Sequence, residues 1–191
     1  DVYKRQMLAS AFSVNAAMEN GKSYLLKSGS SYLSAETDKT SADYGKLVYG
    51  SLNTSDLNEV VAGTWKVSTK TTSGAVVYTF VNKVTGMTLA VDPTLAKTAT
   101  NGLSGDVTLG SGTVSEWAFD ASNHMYSYFK SDSIVFFDNT GALNKGKIAD
   151  LSAALAVTED VISTPIPISA DDLNTLMWSV CLLYTSDAAD D

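Results

Sequence analysis

Three times along this chain, two short alternating apolar runs flank a tight polar turn. Tyr24-Leu25-Leu26-Lys27 and Tyr32-Leu33-Ser34-Ala35 flank Ser28-Gly29-Ser30-Ser31. Val76 to Val81 and Met87 to Val91 flank Asn82 to Gly86, and Met125 to Phe129 and Ile134 to Phe137 flank Lys130 to Ser133. Period-two alternation broken by Gly, Ser, Asn and Asp is the pattern of a β-hairpin. Each hairpin is followed by a long polar stretch and then by a Trp in a short apolar run: Thr64-Trp65-Lys66-Val67, Glu116-Trp117-Ala118-Phe119 and Met177-Trp178-Ser179-Val180. The interval from the hairpin Tyr to the Trp is 41 residues for Tyr24, 39 for Tyr78 and 52 for Tyr126.

Repeats of this length built from short strands point to a repeated β architecture. One such unit cannot bury its own apolar face. Three units around a pseudo-threefold axis can close a barrel, with a Trp from each filling the shared centre. The pattern therefore predicts an all-β, β-trefoil-like fold, with a β-sandwich as the alternative. The expected core is Trp65, Trp117, Tyr78, Phe80, Leu89 and Phe119. Of Tyr126, Tyr128, Phe129, Phe136 and Phe137, alternation turns about half outward.

Composition narrows the function classes. Among 191 residues, 13 Lys and Arg stand against 21 Asp and Glu, a net charge of −8. Nucleic-acid backbones need clustered cations, so no nucleic-acid partner is expected. No run of about 20 apolar residues occurs, so no transmembrane segment is expected. A single Cys and a single His leave too few soft ligands for the usual metal sites, and neither metal nor cofactor is expected.

The residues that carry chemistry elsewhere are thinly placed here. His124 lies in Ser122-Asn123-His124, a turn before a strand, with Asp120 nearby but no nucleophile elbow, and reads as a solvated turn residue. Gly141-Ala142-Leu143-Asn144-Lys145-Gly146-Lys147-Ile148 has phosphate-loop spacing, but Ile148 stands where a magnesium-holding Ser or Thr is needed, so a polar hairpin turn is expected. Asp138, Glu159-Asp160 and Asp171-Asp172 read as solvated surface acids. The Gly102 to Gly112 stretch is too irregular for a dinucleotide fingerprint. The chain is not expected to be an enzyme.

The ends read differently from the middle. Residues 1–6 and 181–191 resemble translated sequencing-adapter ends, as in a metagenomic fragment. Met7 to Ala16 reads as the back half of a secretory signal, an apolar run closing on Val14-x-Ala16. The main domain is expected over 17–163. Pro165-Ile166-Pro167 reads as a linker, and 164–180 as that linker with the start of a second, truncated domain, to which Trp178 then belongs.

Gly86-Met87-Thr88-Leu89-Ala90-Val91-Asp92, leading to Glu116-Trp117-Ala118-Phe119, resembles a ricin-B-type lectin repeat. The span from about 17 to 165 also resembles the N-terminal domain of uncharacterised secreted proteins from Bacteroidales-type gut bacteria, through Lys27 to Ala35, Thr64 to Val67, Tyr78 to Val91 and Tyr126 to Phe129. The lectin resemblance implies a sugar site at the acidic residue after each first hairpin, here Asp92 and, less well matched, Glu36. The lectin pattern has Gln two residues before each Trp, where this chain has Gly63, Ser115 and Leu176. Together these readings imply a secreted or cell-surface, non-catalytic binding module for a glycan or another surface ligand. The alternative is a structural or adhesive domain with surface-protein partners.

Overall fold

A computed structural model describes residues 18–98, 109–110 and 112–160. The signal-like segment 7–16, the Pro165–Pro167 stretch, Trp178 and both end strings lie outside the described residues. Eleven strands are present among the described residues: β1 (Ser23–Ser28), β2 (Ser31–Ala35), β3 (Leu47–Gly50), β4 (Thr64–Thr72), β5 (Ala75–Asn82), β6 (Lys97–Thr98), β7 (Trp117–Phe119), β8 (Met125–Tyr128), β9 (Ile134–Phe137), β10 (Leu143–Gly146) and β11 (Thr158–Asp160). Helix α1 (Leu57–Ala62) precedes β4, and a 3-10 helix (Ile148–Ala153) precedes β11. The fold is all-β, and the pairing is antiparallel except between β6 and β10.

Six of these segments pair in a closed, barrel-like cycle. Tyr24 of β1 faces Trp65 of β4, and β4 pairs with β5 from Trp65↔Asn82 to Thr72↔Ala75. Tyr78 of β5 faces Trp117 of β7, and β7 pairs with β8. The start of β8 pairs with the approach to β11. His124 faces Ala156, the Met125 N–H donates to the Leu155 carbonyl at 3.0 Å, and the Val157 N–H donates to the Asn123 carbonyl at 2.9 Å. Finally β11 returns to β1, with Glu159 opposite Leu26. Closure gives the backbone groups of each segment a partner on both sides, which is how a β fold avoids open edges.

The register repeats three times around this cycle. Each hairpin's outgoing strand hands its second strand to a returning partner: Ala35↔Leu47, Val91↔Val114 and Phe137↔Leu143. The position opposite the first hairpin strand is Trp65, Trp117 and then Leu155. Two residues on stand Val67, Phe119 and Val157, and all six side chains are buried in one cluster with Leu33, Leu89 and Val135. At roughly 1.5–3 kcal/mol for each large apolar side chain, this shared centre is the main stabilising element. Tyr78, Phe80 and Phe119 also lie in it, with Tyr78 and Phe119 edge-to-face at 5.3 Å.

Among the described residues, Leu155 stands at the third position equivalent to Trp65 and Trp117, and the cycle closes by Asp160. One sequence expectation is revised: Tyr126 and Phe136 are both buried, so neither aromatic faces solvent. Tyr126 and Phe136 form a second apolar cluster with Ala118, Ile134, Leu151 and Ala154, under cover of the 3-10 helix. Asp56 caps helix α1 by accepting the Asn58 N–H, and Val60 is the helix's buried residue.

Candidate functional site

Each hairpin's second strand ends on an acidic residue: Glu36 follows β2, Asp92 follows Val91, and Asp138 follows β9. An acidic side chain just past a strand can fold back onto the N–H two residues on, which turns the chain without a glycine. All three do so. Glu36 Oε1 accepts from the Asp38 N–H at 2.8 Å. Asp92 Oδ1 accepts from the Thr94 N–H at 2.9 Å and from Thr94 Oγ1 at 2.8 Å. Asp138 Oδ1 accepts from the Thr140 N–H at 2.9 Å, from Thr140 Oγ1 at 2.6 Å and from the Ala142 N–H at 3.2 Å. In the first unit Asp38 repeats the device on Thr40.

The three carboxylates differ in what else they hold. Asp138 Oδ2 accepts from Asn144 Nδ2 at 2.7 Å and lies 3.4 Å from Lys97 Nζ. Burial opposes its ionisation, but the hydrogen bonds from Thr140, Asn144 and Ala142 outweigh it and hold the group at about 2. Asp92 is held below the usual carboxylate range by the Thr94 N–H and hydroxyl, and Asp38 by the Thr40 hydroxyl and N–H. In the Asp92 turn only Oδ1 takes part, which leaves Oδ2 outside the turn's own hydrogen bonds. A carboxylate with one oxygen fixed by its own turn and the other outside that turn's hydrogen bonds is suited to accept hydroxyl protons.

The loop after Glu36 folds back onto it and carries an aromatic residue, Tyr44. The Gly45 N–H donates to the Glu36 carbonyl at 2.9 Å, and the Glu36 N–H donates to the Lys46 carbonyl at 3.0 Å. Tyr44, half-buried, directly precedes Gly45 on that loop. The position of the lectin-pattern Gln is closed in the first unit. Gly63 ends α1, and a Cβ there would fall 2.5 Å from Leu52 Cδ1.

Trp65 and Trp117 are wholly buried, and each indole N–H donates to a backbone carbonyl at 2.8 Å: Trp65 to Leu33, Trp117 to Leu89. They hold the base of the two turns that carry Glu36 and Asp92, three residues after each of those leucines.

The other residues singled out in the sequence have structural partners. His124 is not a solvated residue: its Nδ1 lies 2.8 Å from Asp120 Oδ2, while Asp120 Oδ1 accepts the N–H groups of Ser122 and His124. This closes the turn between β7 and β8, with Asn123 at a φ of +64°. Gly141 to Ile148 forms the end of the Asp138 turn, strand β10 and the start of the 3-10 helix. Asp160 is not merely a surface acid, since it accepts the Tyr32 hydroxyl at 2.8 Å and lies 3.8 Å from Lys27 Nζ. No metal-holding group of His, Cys, Asp and Glu occurs among the described residues, and no helix among them is long and apolar enough to cross a membrane.

Asp138 belongs with Glu36 and Asp92 although sequence reading set it among the surface acids. The signal that finds it is Asp-x-Thr directly after an apolar strand, at Asp92-Pro93-Thr94 and Asp138-Asn139-Thr140. Comparison with known proteins finds no matching family model, no matching curated protein and no matching solved structure.

Proposed function

We propose that this chain is a secreted or cell-surface β-trefoil module that binds glycans without catalysis, through the turns of Glu36 and Asp92. The trefoil reading draws on the closed cycle of six segments and on a register that recurs three times. Secretion draws on the signal-like run of residues 7–16.

The observation that carries the binding reading is the set of equivalent acidic turns at the ends of the hairpins. Sugars present rows of hydroxyl donors and one apolar face. An ionised carboxylate fixed by its own turn accepts such hydroxyls with little loss of side-chain freedom. Tyr44, on the loop that folds back to Glu36, is the aromatic residue offered to the sugar face.

The test is a glycan array on the full chain, followed by titration with galactose, mannose and N-acetylglucosamine. Millimolar binding that weakens about tenfold in Asp92→Asn or Glu36→Gln supports the reading. Binding to none of these glycans, with capture of a purified surface protein instead, favours the adhesive alternative.

A further inference from the structure

The third acidic turn is tied to the second by a contact that the repeat does not require. After the Asp92 turn the chain passes Leu95, whose N–H donates to the Asp92 carbonyl at 3.0 Å, and buried Ala96. It then enters β6, which lies parallel to β10 with Lys97 opposite Asn144 and Thr98 opposite Lys145. This is the one parallel pairing among the described strands. Lys97 Nζ reaches Asp138 Oδ2 at 3.4 Å, and both side chains are about four-fifths sequestered, at 18% and 19% exposure. The loop that begins at Asp92 is therefore fastened to the hairpin of the next unit.

Asp138 is at the same time fully engaged. Its two oxygens meet the Thr140 N–H and hydroxyl, the Ala142 N–H, the Asn144 amide and the Lys97 ammonium. Those donors occupy the lone pairs that a carboxylate offers. A ligand hydroxyl at Asp138 would have to displace one of them, and the donors on Oδ2, the Asn144 amide and the Lys97 ammonium, are largely buried and costly to leave unpaired.

We propose that Asp138 and Lys97 are positioning residues that hold the Asp92 loop in place, and that Asp138 takes no ligand itself. The chain then offers two acidic subsites, at Glu36 and Asp92, and the third turn serves as the anchor of the second. A two-stranded parallel contact of two residues is too short to hold alone. A sequestered ion pair at its first residue supplies the missing constraint, and it fixes the loop five residues from Asp92. This inference rests on the binding reading for its functional meaning, while the anchoring itself is tested without any ligand.

Lys97→Met keeps the aliphatic stem and the Asp138 turn but removes the ammonium, and Lys97→Arg restores a cation. Amide hydrogen exchange by NMR on the full chain reads the loop directly. Lys97→Met is expected to speed exchange at Thr94 to Thr98 about tenfold, with the amides of Tyr24 to Leu26 and of Trp117 unchanged, and Lys97→Arg to restore the slow rate. Galactose, mannose and N-acetylglucosamine are titrated in parallel. Kd is expected to rise several-fold in Lys97→Met and to return in Lys97→Arg. Exchange that is unchanged at Thr94 to Thr98, or that rises equally throughout the barrel strands, overturns the anchor. Faster local exchange with an unaltered Kd overturns the positioning role. If the native chain binds none of the three sugars, the binding reading fails, and the exchange result alone decides whether the tie holds the loop.

Discussion

Several polar side chains here have their value set by one partner atom, and they can be separated by single substitutions. Tyr32 and Tyr128 are a contrasting pair. The Tyr32 hydroxyl donates to Asp160 at 2.8 Å and so links β2 to the closing strand. The Tyr128 hydroxyl is buried and makes no hydrogen bond among the described residues, and burial followed by the charge of Asp132 pushes it up to about 12. Removing a satisfied hydroxyl leaves its acceptor unpaired, whereas removing an orphan removes only a desolvation cost. Tyr32→Phe is therefore expected to lower stability by about 1 kcal/mol, and Tyr128→Phe to leave it level or raise it by up to about 1 kcal/mol. Urea unfolding midpoints measure both, and a large loss in Tyr128→Phe would show that the hydroxyl has a partner after all. Asp138 gives the pH-dependent case. Its folded value of about 2 lies below the ordinary 3.8, so its contribution is complete above about pH 4 and is lost as pH falls toward 2. The shift corresponds to roughly 2 kcal/mol. In Asp138→Asn the fall in stability between pH 4 and pH 2 should be shallower by about that amount, as read from urea unfolding at each pH.

At the scale of elements, what the sequence discloses follows from how strongly each element imposes a period. The hairpins β1–β2 and β8–β9 are legible because alternation over four to six residues has no helical counterpart. Helix α1 and the 3-10 helix span six residues each, too few for a 3.6-residue period to emerge, and only Asp56 as an N-cap marks the first. Leu155 is hidden for another reason: it does the work of Trp65 and Trp117 without an indole, and an ordinary Leu carries no signal of equivalence. Strand β11 reads Thr158-Glu159-Asp160, a solvated acidic run by composition, and becomes a strand only because β1 is there to pair with it. In the candidate site, the resemblance to a lectin repeat singles out Glu36 and Asp92, whereas Asp138 shares the Asp-x-Thr signal of Asp92 and takes its equivalent place through register. The turns also separate backbone strain from packing. Gly141 and Gly74 have φ near +80°, but a Cβ at Gly141 would lie 2.6 Å from Tyr49 Cβ, whereas Gly74 faces open space. Gly74→Ala should cost about 1 kcal/mol from the left-handed backbone alone, and Gly141→Ala about 2–4 kcal/mol, because Tyr49 on the first unit's β3 must also move. Equal losses in thermal unfolding would mean that the hairpin ends do not press on one another.

At the scale of the whole molecule, stability depends on a contact between the two ends of the described chain. The three units are not independent, since Val67, Phe119 and Val157 come from different units and share one core. The last of these, with Leu155, arrives only after the 3-10 helix, and β11 then pairs with β1 through Leu25↔Asp160, Leu26↔Glu159 and Lys27↔Thr158. Tyr32 and Lys27 grip Asp160 from the first hairpin. A chain stopped after Ala153 therefore loses a third of the central layer and exposes the free edge of β1, and burial lost on that scale exceeds the margin of an ordinary domain. Such a chain is expected to show no cooperative thermal transition and to bind hydrophobic dye. A chain stopped after Ser163 keeps Leu155, Val157 and all of β11 and is expected to melt cooperatively. Because the closing pair joins residue 26 to residue 159, refolding should be slow for this size, on the order of milliseconds to seconds. Val157→Ala should cost about 2 kcal/mol at equilibrium. If ring closure is the last step, that loss falls on the unfolding rate, and a folding rate slowed by the full amount would place β11 in the nucleus instead.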